Sequence, residues 1–143
     1  MKNKVAVAIG SPLLAVVMGI FINFPNFLIG NQATVLNLIV TAAYILIWIF
    51  AISIAWQLKN RLLMISFAAF WLTTLFFGVL TIFVSMVEFD TSWALIFVGL
   101  LLPQWYGIEL FTDDFLISAV IISAISLMIF IGTVSSFFRK VNP

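Results

Sequence analysis

The sequence predicts an all-α integral membrane protein built as a four-helix transmembrane bundle. Of its 143 residues, 65% are hydrophobic and 8% are charged, whereas soluble domains have about 45–50% apolar and about 25% charged residues. Four stretches without an internal charge are long enough to cross a bilayer, which takes about 20 apolar residues each. The charged residues lie in short segments around these stretches, so we treat residues 1–143 as a single membrane domain.

The four spans are predicted at about residues 5–28, 35–56, 62–87 and 115–138. The stretch NFPNFLIGNQAT, which overlaps the end of the first span, contains Pro25, Gly30 and several amides, which favour turns. The second break, QLKNR, is short and therefore makes its two helices antiparallel. The basic start followed by an apolar run is also typical of a signal peptide. Since no small-x-small cleavage site follows that run, we expect a retained first helix.

The positive charges predict the orientation. The six cations precede the first span, separate the second from the third, or follow the fourth, so four spans put all of them on one face. Short loops that carry Lys and Arg stay in the cytoplasm. We therefore expect both termini inside, an arrangement written N-in/C-in. The cations are Lys2, Lys4, Lys59, Arg61, Arg139 and Lys140.

All five acidic residues lie in the segment 88–114, between the third and fourth spans. Within it, residues 93–102 form an apolar run of ten residues that stops at Pro103, and ten helical residues rise about 15 Å, half a hydrocarbon core. A fifth span there would move Arg139 and Lys140 outside. We therefore predict a short half-helix on the outer face, which either dips into the outer leaflet or packs across the mouth of the bundle.

The outer segment supplies a candidate partner surface. The short helix is preceded by Asp90, Thr91 and Ser92, and the fourth span by Thr112, Asp113 and Asp114, so either group can cap a helix. The large aromatic rings of the segment are typical of membrane interfaces. The candidate surface consists of Glu88, Asp90, Trp93, Trp105, Tyr106, Glu109, Asp113 and Asp114.

Small and polar residues recur at helical spacing within the spans and mark the faces that meet protein. They fit the seams of a bundle, in which interhelical hydrogen bonds form. A second interpretation is that Asn23, Asn37, Tyr44, Thr81 and Ser85 line a small polar cavity under the outer segment. The candidate packing or cavity residues are Ser11, Gly19, Asn23, Asn37, Thr41, Tyr44, Thr81, Ser85, Ser123 and Ser126.

The composition argues against several classes of function. The chain has no cysteine and no histidine, which removes thiolate chemistry and the commonest general base and zinc ligand. We expect no catalytic residues, no cofactor and no metal, and a net charge of +1 argues against a nucleic-acid partner. The outer acids leave a membrane enzyme or a divalent-cation site as a minor alternative.

We therefore expect a multi-pass protein of the plasma membrane of a bacterium, with the lipid bilayer and another membrane protein or a second copy of itself as partners. Its expected role is non-enzymatic, as an accessory, assembly or immunity-type interaction subunit of a membrane complex. The alternative is a small dimeric channel or transporter for a neutral or amphipathic solute, because the polar stripes fit both roles.

Overall fold

A computed structural model describes residues 2–87 and 92–138, the side chains of 136–138 excepted. Every regular element in this part of the chain is helical. Four helices within these residues are long and apolar enough to cross a membrane. They are α1 (Lys2–Ile29), α2 (Val35–Gln57), α3 (Arg61–Val87) and α6 (Phe115–Phe138).

The ends of these helices follow from local side-chain chemistry. Gly30 has φ +69°, a left-handed conformation that glycine adopts at low cost, and it ends α1. Thr34 begins α2 through a capping box with Asn37. Asp114 begins α6 as predicted, because its Oδ1 accepts the N–H groups of Leu116 at 2.7 Å and Ile117 at 3.1 Å.

The long helices associate as two pairs, α1 with α2 and α3 with α6. The α3–α6 seam is close at Gly78, where an added Cβ would lie 2.6 Å from the Ser123 hydroxyl. Buried residues of α2 and α3 form the main apolar core between the pairs. Its largest members on these two helices are Tyr44, Trp48 and Trp71.

Residues 92–112, which we call the insert, pack against α1, α2 and α3. The insert comprises a 3-10 turn (Ser92–Ala94), α4 (Leu95–Leu101), a 3-10 helix (Pro103–Ile108) and α5 (Glu109–Thr112). Its two halves, Ser92–Leu101 and Pro103–Thr112, are bent by 64° at Leu102.

The insert penetrates the bundle and does not pack across its mouth, so the second of the two predicted placements is wrong. Its first half passes from α3 to α1: Phe97 stacks on Phe77, and Gly99 lies against Phe24. Gln104 then contacts Gly19, which is ten residues from the end of α1, about 15 Å along the helix. The second half returns beside α2 toward the loop at residues 30–34. The chain therefore reaches a little over a third of the way along α1, which has 28 residues, and comes back.

Candidate functional site

Amide side chains from α1 and α2 hold the turn of the insert. Asn37 Nδ2 donates to Asn23 Oδ1 at 3.0 Å, and Asn23 Nδ2 donates to the carbonyl oxygen of Pro103 at 2.8 Å. Asn37 Oδ1 accepts the backbone N–H and the hydroxyl of Thr34 at 2.8 and 2.6 Å. Both asparagines are fully buried. The two predicted candidates thus link the start of α2 to the turn through one continuous hydrogen-bonded chain.

Thr41 holds the same turn from one helical turn further along α2. Its hydroxyl donates to the carbonyl oxygen of Gln104 at 2.7 Å and accepts the N–H of Gly107 at 3.0 Å. An irregular backbone is tolerated at membrane depth only where other groups satisfy its polar atoms. Asn23 and Thr41 satisfy two carbonyls and one N–H of the insert, so these polar residues are what allow a turn inside the bundle.

Two glycines let backbones approach at this place. A Cβ on Gly107 would overlap the carbonyl oxygen of Asn37 and the Cα of Leu38, so the insert lies directly on the backbone of α2. A Cβ on Gly19 would lie 2.6 Å from Cγ of Gln104. The predicted small and polar face of the first span, which includes Gly19 and Asn23, therefore accommodates the insert.

Trp105 and Tyr106 belong to the interior, and their predicted place on an outer partner surface is wrong. Trp105 is 0% exposed, and its ring centroid lies 5.5 Å from that of Tyr44 and 5.9 Å from that of Trp71. Tyr106 is 6% exposed, and its hydroxyl donates to the carbonyl oxygen of Asn31. One sequence signal could have predicted their burial. The polar faces of α1 and α2 need partners inside the bundle, and the insert can supply them.

Several buried polar atoms in this region have no hydrogen-bond partner within the described part of the chain. They include Oε1 of Gln104, Nε1 of Trp71 and Nε1 of Trp105. The Nε2 of the same glutamine donates to the Leu100 carbonyl at 2.7 Å, so that side chain is only half satisfied. Buried polar groups without partners are costly, and each one calls for an explanation.

The hydroxyl candidates on α1, α3 and α6 do not join helices as predicted. Four of them donate, at 2.8 Å, to the carbonyl four residues earlier in their own helix, namely Ser11, Thr81, Ser85 and Ser123. Thr81 and Ser123 are buried, Ser11 is half-buried and Ser85 is exposed. The fifth, Ser126, is buried, and its hydroxyl lacks a partner among the described residues.

The predicted polar cavity lined by Asn23, Asn37, Tyr44, Thr81 and Ser85 does not form as one space. The two asparagines bond to each other and to the insert, and Tyr44 packs in the aromatic core. Thr81 and Ser85 instead line an apolar groove of about 610 Å³ between α1, α3 and α4. The insert occupies the position of the predicted cavity.

Three acids described in the structure cluster near the 30–34 loop. Burial raises the pKa of Glu109, and the negative charges of Asp113 and Asp114 raise it further, whereas the neighbouring hydroxyl of Tyr106 lowers it. Burial and the charge of Glu109 raise the pKa of Tyr106 to about 12. Glu109 and Asp113 line an open cleft of about 640 Å³. Glu88 and Asp90, also predicted here, lie outside the described residues.

The described acids do not assemble a metal centre. In residues 2–87 and 92–138, no group of three Asp, Glu, His or Cys side chains is placed to hold a metal ion. The role of these polar groups is to hold parts of the chain in place. They fix a bent helical insert inside the bundle, and carboxylates remain at one end.

Comparison with known proteins gives no relative for this arrangement. No family model matches the chain, and neither a curated protein nor a solved structure is significantly similar to it.

Proposed function

We propose that the chain is a multi-pass protein of a bacterial cytoplasmic membrane, with both termini inside and the insert entering from outside as a re-entrant segment. The separation of charge along the bundle supports this orientation. Lys59 and Arg61 lie where α2 meets α3, and Lys2 and Lys4 begin α1, whereas Glu109, Asp113 and Asp114 lie at the opposite ends of these helices. Cytoplasmic loops carry the excess of Lys and Arg.

Within that membrane we propose a non-enzymatic role, as an accessory, assembly or immunity-type subunit that binds another membrane protein or a second copy of itself. The observation that carries this proposal is the outward face of the first half of the insert. Trp93 and Phe97 pack on Phe77 and still remain 56% and 44% exposed. Aromatic side chains on a rigid support are the usual anchors of protein interfaces.

Site-specific photo-crosslinking in the native membrane tests this role. A benzophenone amino acid at Trp93 or at Phe97 should give one discrete crosslinked band after irradiation, and mass spectrometry should identify the same protein from both positions. A discrete band is expected because a specific partner covers these rings, whereas lipid gives no protein adduct.

The control position is Leu46 on α2, which is 66% exposed. It lies two residues from both Tyr44 and Trp48, and therefore on the opposite side of the helix from these buried rings. Crosslinks from Leu46 to the same protein, or none from Trp93 and Phe97, would contradict the proposed partner surface.

A small channel or transporter for a neutral solute remains the second candidate, and one observation favours it. Polar atoms of Gln104, Trp71 and Trp105 that have no hydrogen-bond partner among the described residues are buried at the bend of the insert. Discontinuous helices of transporters hold their substrates at such breaks. Light-scattering measurements of solute entry into reconstituted vesicles separate the two roles. Entry faster than in protein-free vesicles, and slowed by Gln104→Leu, would support transport over the subunit role.

A further inference from the structure

We propose that the groove between α1, α3 and α4 binds a single-chain amphipathic cation, with the hydrocarbon chain in the groove and the positive head at the carboxylates of the adjoining cleft. This site goes beyond the partner role proposed above and does not require the crosslinked surface. It uses the same four-span orientation.

The groove has the shape and chemistry of a hydrocarbon site. Along α1 its wall extends from Ile20 to Leu28, about 12 Å. Leu80 and Val84 of α3 form a second wall, and Gly99 of α4 lies across it. The two hydroxyls in the lining bond to their own helix, as described above, so they make no demand on a ligand. An apolar occupant therefore leaves no polar group unpaired.

The size of the groove suits a small molecule. Its volume of about 610 Å³ lies within the range of about 300–1,000 Å³ in which small molecules bind. A single flexible hydrocarbon chain fits a space of this size.

The negative charge beside the groove favours a ligand with a positive head group. Phe27 and Phe115 line both the groove and the acidic cleft, with their ring centroids 6.3 Å apart, so the two spaces adjoin. Glu109 and Asp113 line the cleft. Among the described residues, the cations Lys2, Lys4, Lys59 and Arg61 all belong to the other end of the bundle. A cationic head therefore meets carboxylates that have no described cationic neighbour.

The titration of Glu109 gives the expected pH dependence. The groups that face it are Tyr106, Asp113 and Asp114, which supply hydrogen bonding and negative charge. A bound cation stabilises the ionised carboxylate. Binding should therefore tighten as the pH rises through the pKa of Glu109, and Glu109→Gln should remove that part of the dependence.

Equilibrium binding of radiolabelled dodecyltrimethylammonium to the full chain in zwitterionic nanodiscs tests the site, with empty nanodiscs subtracted. We expect saturable binding at one site per chain. Dodecyl sulfate carries the same chain with a negative head, and tetramethylammonium carries the head alone, so neither should compete well. Equal competition by dodecyl sulfate would show that the groove binds hydrocarbon chains whatever their charge. If binding did not exceed that of empty nanodiscs in a saturable way, the groove would hold only bilayer lipid. Either result overturns the proposal.

Two variants assign the parts of the ligand. Gly99→Leu places a side chain against Phe24, where a Cβ would lie 3.3 Å from a ring carbon that can move, and should weaken binding roughly fourfold for each methylene displaced. Gly10→Leu on α1 is the matched control, because nothing lies within 4 Å of its Cβ, and it should bind like the wild type. Glu109→Gln with Asp113→Asn should weaken binding about three- to tenfold and spare dodecyl maltoside.

If Gly99→Leu does not fold, as judged by gel filtration and helical circular dichroism, Val84→Phe narrows the groove from α3. Unchanged binding in a folded groove variant contradicts the placement of the chain. Unchanged binding after neutralisation of the two acids contradicts the placement of the head.

Discussion

Asn37 is the residue on which the polar interior depends most directly, because it joins three parts of the chain. Its side chain caps α2 at Thr34, holds Asn23 and through it reaches the insert. Helical spacing alone places Asn37, Thr41 and Tyr44 on one face of α2, and the structure buries all three. Spacing does not identify the acceptor, since an amide can bond to either a side chain or a backbone across the interface.

Replacement of Asn37 by Leu should lower the free energy of unfolding by about 1–3 kcal/mol. The substitution removes a helix cap and leaves Asn23 Oδ1 buried without its donor. Steric trapping in bicelles measures the change. Ser53→Ala is the control, because that hydroxyl bonds only within its own helix, to Ile49, and should shift the value by no more than about 0.5 kcal/mol. Equal shifts in both variants would mean that the amide chain contributes little.

Glu109 should make stability depend on pH. Its pKa is raised above the ordinary value of 4.5 in the folded chain. The folded state therefore retains a proton that the unfolded state has released, so the free energy of unfolding decreases as the pH rises from 4.5 through the raised pKa. Glu109→Gln should be more stable relative to the wild type at neutral pH than in acid.

The measurement is the difference in unfolding free energy between Glu109→Gln and the wild type, taken at several values between about pH 4 and pH 7. Contributions of the other acids are common to both proteins and cancel to first order. A difference that is constant over this range would show that the environment of Glu109 does not disfavour its charged form.

At the scale of the elements, the long helices and the short helix that ends before Pro103 could be predicted closely, and the depth of the insert could not. The predicted span at 62–87 corresponds to α3 at Arg61–Val87, because length, hydropathy and charged breaks are local properties. The depth of the insert depends on the fit of Gly107 to the backbone of α2, which is a contact between distant parts of the sequence. Residue type alone predicts Trp105 at a membrane interface. Its burial between Tyr44 and Trp71 follows from the contact of Gly107 with α2.

Gly107→Ala should prevent the insert from seating. The added methyl group would overlap backbone atoms of α2, which cannot rotate away as a side chain can. We expect a loss of about 1–3 kcal/mol or more in the free energy of unfolding. Proteolysis within 92–112 in detergent should increase as well, because a displaced insert exposes its backbone.

The matched control for this glycine is Gly10→Ala, at a helical position with nothing within 4 Å of the new methyl group. It should be neutral or stabilise the protein by up to about 1 kcal/mol, since alanine favours helix over glycine. If both variants behaved alike, backbone contact at Gly107 would not be what seats the insert.

At the scale of the whole molecule, the insert joins two helix pairs that otherwise meet through a limited apolar core. It contacts α1 and α2 through hydrogen bonds and α3 through the rings of Trp93 and Phe97. A segment in contact with both pairs restricts their relative movement. The same segment forms one wall of the groove and carries Glu109, so the proposed ligand site and the packing of the bundle depend on a single element.

The orientation of the molecule gives the last prediction, and the cysteine-free sequence makes it direct to test. Single cysteines at Gln32 and Asp113 should react with a membrane-impermeant maleimide in intact cells, whereas cysteines at Asn3 and Asn60 should react only after permeabilisation. A cysteine at Gln104 should react in neither condition until the protein unfolds, because that position is 0% exposed. Reaction of Asn3 from outside would invert the orientation, and reaction of Gln104 as fast as Gln32 would show that the insert lies on the surface.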